Sequence, residues 1–242
     1  MKKTICFDFG NTRLKYAVFE NDLFKEEAIL KNDTTETIEE LLNKMHPQKT
    51  ILSSVINHNP EIETVLAKQT SFHKLSHLTK LNFTTPVGKP ATIGADRLAL
   101  AAASVHLYPT KNNLVIALGS CITYNFINQN HQFIGGSISP GMEMRFKSMH
   151  EYTALLPLVQ PEWSFPIIAY DTKTNLQSGV IAGITYEIDG FISHYHSKYN
   201  NLNVVLTGGN AAYFARQLKN KIFADADFLF KGLFAISEIN NS

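Results

Sequence analysis

Apolar residues in this chain come in short blocks, and their spacing alternates between strand-like and helix-like. Residues 4–8 and 14–20 are brief apolar runs on either side of Phe9-Gly10-Asn11-Thr12, the pattern of two strands joined by a tight turn. Asn21-Asp22 predicts a further turn. Over 35–45 the period changes, with Ile38, Leu41 and Leu42 on one helical face. A buried strand follows at 50–55 and a short helix at 60–69. Residues 81–94 are rich in Thr, Pro and Gly, lack a period and read as a loop, and an Ala- and Leu-rich helix is predicted over 97–107, ended by Pro109.

The opening pattern then returns. Residues 113–118 and 122–127 predict two strands around Gly119-Ser120-Cys121, and a strand-turn stretch reaches Gly135-Gly136. Phe7-Asp8-Phe9-Gly10-Asn11-Thr12 aligns with Ile116-Ala117-Leu118-Gly119-Ser120-Cys121, a weak internal repeat that suggests two lobes, 1–111 and 112–242. Helices are expected at 142–155, 177–195 and 211–219, with a late strand at 202–206 and a fraying polar tail after 228–234.

Bulk properties narrow the classes. Twenty-two basic residues against 21 acidic ones give a net charge of +1, which offers no electrostatic footprint for nucleic acid. Cys6 and Cys121 are too few for a disulfide framework and have no metal-ligand spacing. No stretch approaches the ~20 apolar residues of a membrane helix. Asp8 also interrupts the apolar start too early for a signal peptide. A soluble cytoplasmic protein is the expectation.

Four clusters carry candidate chemistry. In the first, Gly10 lets the backbone turn tightly, and the N–H groups of such a turn can cradle an anion. Asn11 and Thr12 add neutral donors, Lys15 adds a positive charge, and Asp8 can hold Mg²⁺ through water. The second is Gly94-Ala95-Asp96-Arg97 at a helix start, where neighbouring side chains face different ways, one toward a hydroxyl and one toward an anion. An Asp at a helix N-terminus stays ionised, or serves only as a cap. The third, Gly208-Gly209-Asn210 after a buried strand, permits close approach of a flat ligand or makes a plain turn. The fourth, residues 135–142, joins turn residues to a helix N-terminus that favours anions. Neither a Walker loop nor a dinucleotide fingerprint is present, and a glycine in strand–turn–strand context is the mark of actin-like kinases.

In their order along residues 3–235, these motifs resemble the type III pantothenate kinases. Residues 8–12 are similar to that family's first phosphate motif, 93–97 to its substrate motif and 118–123 to its second phosphate motif. Gly135-Gly136 through Pro140-Gly141, Thr172 with Ser178-Gly179, and Thr207-Gly208-Gly209-Asn210 follow in the family's order. The resemblance implies an α/β, duplicated actin-like (ribonuclease H-like) fold of two lobes, with mixed sheets flanked by helices. It implies ATP and Mg²⁺ on Asp8, Gly10, Asn11, Thr12 and Lys15, with Gly119, Ser120, Cys121, Thr123, Gly208 and Gly209 completing the nucleotide site. It implies pantothenate on Gly94, Ala95, Asp96 and Arg97, with Asp96 as the base and Thr172 reaching a partner's pocket in a homodimer. A monovalent cation, K⁺ or NH₄⁺, is also implied, and the product is 4′-phosphopantothenate on the route to coenzyme A.

Three positions depart from the family pattern. Ala117 and Asn125 stand where it has Asp, which bears on the cation site, and Val87 stands where a Tyr walls the pantothenate pocket. Two alternatives stay open on these departures: a non-catalytic binding or regulatory member, and an actin-like kinase for another small hydroxyl substrate.

Overall fold

A computed structural model of the chain describes residues 2–86, 88 and 90–240. Two five-stranded sheets share one topology. The first has the order β3-β2-β1-β4-β5, built from β1 (Lys3–Phe9), β2 (Leu14–Glu20), β3 (Leu23–Ile29), β4 (Lys49–Ser54) and β5 (Ser71–Lys74). The second has the order β10-β9-β6-β7-β8, from β6 (Asn112–Leu118), β7 (Cys121–Asn128), β8 (Gln132–Pro140), β9 (Leu202–Thr207) and β10 (Phe223–Ala224). Element for element the second sheet repeats the first, so the faint sequence repeat marks a duplicated topology.

In the first sheet β1 pairs antiparallel with β2 and parallel with β4, a central position that explains its nearly continuous burial. β3 is a mostly exposed edge strand with polar residues, and β5 has four residues. Neither carries an apolar alternation, and neither is anticipated by the residue pattern.

Helix α1 (Thr35–Met45) begins at Thr34, whose hydroxyl accepts from the Thr37 N–H, and ends at His46 in the left-handed region, φ 50°. Its buried residues are Ile38, Leu41 and Leu42, the face read from the spacing. Helix α2 (Glu61–Gln69) buries Ile62 and Leu66 in the same core, with Ile5, Phe7, Phe9 and Leu52 of the sheet. The 81–94 loop holds a 3₁₀ turn at Pro90–Thr92 and a bridge from Thr84 to Gln132.

Helices end differently from the spacing in three places. Helix α4 (Met142–Glu151) stops before residue 155, where the Thr153 hydroxyl takes the Met149 carbonyl at 2.6 Å. The expected helix at 177–195 extends both ways: α5 (Thr172–Gln177), a π-helical turn (Ser178–Ala182) and α6 (Gly183–Lys198). Gly179 and Gly183 lie in or beside that turn, where a weakened helical preference admits the wider winding. Helix α7 is only Ala211–Phe214: the Arg216 and Gln217 N–H groups reach back three residues, to Tyr213 and Phe214, and those of Lys219 and Asn220 go to the Asp189 carboxylate.

Residues 235–240 of the tail expected to fray belong instead to helix α8 (Phe228–Asn240), and 241–242 lie outside the described residues. Its polar residues have partners: Glu238 pairs with Lys2 at 2.5 Å and Lys49 at 3.2 Å, and Asn240 bonds the backbone of Lys80. Where the sequence suggests one cut near residue 111, the compact units exchange segments. The first gathers 1–110, 127–135 and 227–242, and the second gathers 111–126 and 136–226. Helix α3 (Ala95–Leu107) lies against α8 so closely that a Cβ on Gly232 would sit 1.9 Å from the Ala99 carbonyl oxygen. Among the described residues no helix is long and apolar enough to cross a membrane.

Overpacking at this contact should be costly. Gly232→Ala is expected to lower unfolding stability in urea by about 1–3 kcal/mol. An unchanged midpoint would mean that the two helices separate at little cost.

Candidate active site

In the first unit the site is built on the β1–β2 hairpin. The Gly10 N–H donates to the Arg13 carbonyl at 3.1 Å, closing the turn, and Asn11 and Thr12 are exposed at its tip. Register places Asp8 opposite Lys15 on β2 and beside Ser53 on β4. The Ser53 hydroxyl donates to Asp8 Oδ1 at 3.4 Å, a neighbour the sequence reading did not include. The Lys15 ammonium is also engaged by Glu27 on β3, so its charge is shared. Burial first, and then the Asp96 charge, push the Asp8 carboxyl up to about 7, against the opposing effects of Lys15 and Ser53.

Asp96 and Arg97 occupy the first turn of α3, after Gly94. A Cβ on Gly94 would meet Asp96 Oδ1 at 2.5 Å, so the glycine gives the carboxylate room to fold back. The helix terminus alone would keep this acid weakly basic. Burial outweighs the Arg97 charge and the backbone N–H bonds and raises its pKa, which makes Asp96 a better base than its position suggests. The Arg97 guanidinium lies 5.4 Å from the centre of the Phe133 ring. Gly94 and Ala95 line a cavity of about 350 Å³ together with Ser54, Ser76, Ile93 and Leu98. Val87 lies outside the described residues.

In the second unit, motifs far apart in sequence meet at one turn. The Gly119 N–H donates to the Cys121 carbonyl at 3.1 Å, and the Gly141 N–H donates to Ser120 at 3.0 Å. A Cβ on Gly141 would lie 2.3 Å from the Gly119 oxygen, and one on Gly208, at φ 96°, would lie 2.4 Å from the Leu118 oxygen. Glycines of two candidate motifs are thus required by close approach to the third. Gly209 has no such neighbour and is exposed. Thr123 is buried on β7 and its hydroxyl accepts from the Asn125 amide at 3.0 Å. Thr172 is exposed at the start of α5, which Asp171 caps.

The family implies two ions, and the residues treat them differently. Asp8 suits Mg²⁺: its carboxylate is desolvated and repelled by Asp96, and a divalent cation relieves both. Positions 117 and 125 offer a monovalent cation no carboxylate. Ala117 has no side-chain oxygen, and the Asn125 amide nitrogen donates to the Val115 carbonyl at 3.2 Å and to Thr123.

The sequence profile described as type III pantothenate kinase matches residues 4–194. The chain belongs to the type III pantothenate kinase family. A type III pantothenate kinase of Christiangramia forsetii is 42% identical over 98% of this chain and 99% of its own. That of Flavobacterium johnsoniae is 40% identical over 95% of each. Among solved structures, component A of the (R)-2-hydroxyglutaryl-CoA dehydratase of Acidaminococcus fermentans matches with a TM-score of 0.54. It is 12% identical over 100% of this chain and 98% of that one, a likeness of fold alone. The fold is the duplicated actin-like one. The first unit carries Asp8, Asp96 and the cavity, and the second carries the Gly119 turn.

The raised Asp8 pKa has a signed consequence. An acid whose folded pKa lies above its unfolded value loses stability as pH rises from about 4 through about 7, and the loss persists above that. In Mg²⁺-free buffer, Asp8→Asn should therefore raise the thermal midpoint more at pH ~8 than at pH ~5. A gain that is larger in acid would contradict the burial of this charge.

Proposed function

We propose that this chain transfers the γ-phosphoryl group of ATP to the primary hydroxyl of pantothenate, giving ADP and 4′-phosphopantothenate. The observation that carries the reading is the Asp96 carboxylate, raised in basicity by burial and folded back against Gly94, a residue that itself lines the 350 Å³ cavity. The substrate oxygen forms a bond to phosphorus as the bond to the β-phosphate oxygen breaks, and Asp96 takes the hydroxyl proton. Such a transfer has a loose transition state and depends on positioning more than on base strength.

Asp8 would hold Mg²⁺ through water, and the ion would supply charge neutralisation for the phosphates. Gly10, Asn11 and Thr12 offer backbone and side-chain donors to phosphate oxygens, as do Gly119, Ser120 and Cys121. Lys15 adds positive charge, and Gly208 and Gly209 leave room for the adenine. Arg97 holds the pantothenate carboxylate. No step is assigned to a monovalent cation.

A second copy of the chain would complete the pocket through Thr172. Exposed apolar residues of the second unit, Ile138 at 60%, Tyr186 at 58% and Ile168 at 90%, favour a homodimer. The reaction belongs in the cytoplasm, at the entry to coenzyme A synthesis. Ala117, Asn125 and Val87 keep a binding-only protein as the competing outcome.

Coupled ADP release decides between these readings. Pantothenate-dependent release is expected from the wild type, and release at background from folded protein would favour binding alone. Asp96→Asn should lower kcat by about a hundredfold or more while ATP binding persists. Turnover should be the same in K⁺, NH₄⁺ and tetramethylammonium buffers, and a strong response to K⁺ would mean that other oxygens build a cation site.

A further inference from the structure

Ser54 ends β4 next to Ser53 and lines the cavity that Gly94 and Ala95 also line. A chain of polar contacts runs away from it. Ser54 Oγ lies 2.9 Å from His58 Nδ1, and His58 Nε2 lies 3.0 Å from Glu63 Oε1. Glu63 in turn receives the Lys74 ammonium at 2.6 Å. The His58 side chain is only 6% exposed and stands edge-on against Phe9, with ring centres 5.4 Å apart.

With the imidazole in its neutral form, the contacts along this chain favour one arrangement of protons. A carboxylate held by an ammonium only accepts, so Nε2 carries the ring proton toward Glu63. In the neutral ring Nδ1 is then a lone pair, and Ser54 is its partner. The Ile56 carbonyl, at 3.1 Å, is the more distant acceptor for the same hydroxyl. A hydroxyl has one proton; once Nδ1 holds it, the Ser54 oxygen accepts from the Ile56 N–H at 3.4 Å and keeps one further acceptor position for a donor in the cavity.

We propose that Ser54 binds the alcohol substrate by accepting a hydrogen bond from one of its N–H or O–H groups. His58, fixed by Glu63, is the positioning residue that turns the serine proton away from the cavity. At this point the cavity selects a substrate that donates, such as an amide or a second hydroxyl, over one that presents an ether or ester oxygen. The inference rests on the pantothenate kinase reading, since pantothenate carries both kinds of donor.

Steady-state ADP release tests it with Ser54→Ala, His58→Leu, His58→Asn and the double variant S54A/H58L. Ser54→Ala and His58→Leu should each raise KM for pantothenate about fivefold to tenfold, the size of one lost neutral hydrogen bond. The KM for ATP should not move, and kcat should change little. His58→Asn places a side-chain oxygen near the Nδ1 position and should restore most of the affinity. The double variant should be no worse than Ser54→Ala alone, because His58 acts through Ser54. An unchanged pantothenate KM in Ser54→Ala, or additive losses in the double variant, would overturn the proposal. If His58→Leu fails to fold, Ser54→Ala and His58→Asn still decide it. A wild type without pantothenate-dependent release overturns the kinase reading and this proposal with it. An active wild type with an unaffected Ser54→Ala overturns this proposal alone.

Discussion

The carboxylate of Asp8 sits at the end of a central strand whose neighbours are almost all buried. Placing a charge there is costly, and the nearby Asp96 charge raises the cost. Ser53 and Lys15 offset part of it, but Lys15 also answers to Glu27. The remaining imbalance leaves a group that resists ionisation and that a divalent cation, held there, would stabilise as an anion. Much of the first unit serves this arrangement. The β1–β4 pairing sets Ser53 beside Asp8, and the Gly10 turn leaves Asn11 and Thr12 exposed just beyond it.

The duplicated topology puts glycine turns far apart in sequence at equivalent places in the two sheets. Each sheet places a hairpin turn at the end of its central strand. In the second unit, Gly141 and Gly208 approach the Gly119 turn within distances that no side chain tolerates. These glycines belong to the architecture of the turn as well as to any ligand that rests on it.

What could be read from the sequence was what local spacing encodes. The two glycine hairpins, the buried face of α1 and the Ala-rich helix behind Asp96 all have a period or a turn residue to announce them. Edge strand β3, rich in charge, has none, and β5 is too short to show one. The last helix was hidden because its polar residues look solvent-bound until Lys2, Lys49 and Lys80 are brought to them from far along the chain. The candidate site divides in the same way. Asp8, Gly10 and the Asp96-Arg97 pair stand out as motifs, whereas Ser54, His58 and Glu63 acquire meaning only when the chain folds back. The basicity of Asp96 was legible only in part: the helix start was plain, but the burial that outweighs it is a tertiary fact.

The docking of α8 onto α3 has a consequence for how the protein is made. Roughly a hundred residues separate Thr110 from Asp227, and the first unit needs segments from both sides of that gap. At ~5–20 residues per second, a ribosome takes roughly ten seconds to cross it. During that interval the α3 surface around Ala99 and Ala103, later covered by Gly232, is uncovered on a nascent chain. The unit begun earlier in synthesis is thus completed only after the other has been made, and the helix bearing Asp96 waits for residues 228–240 to gain its permanent neighbour.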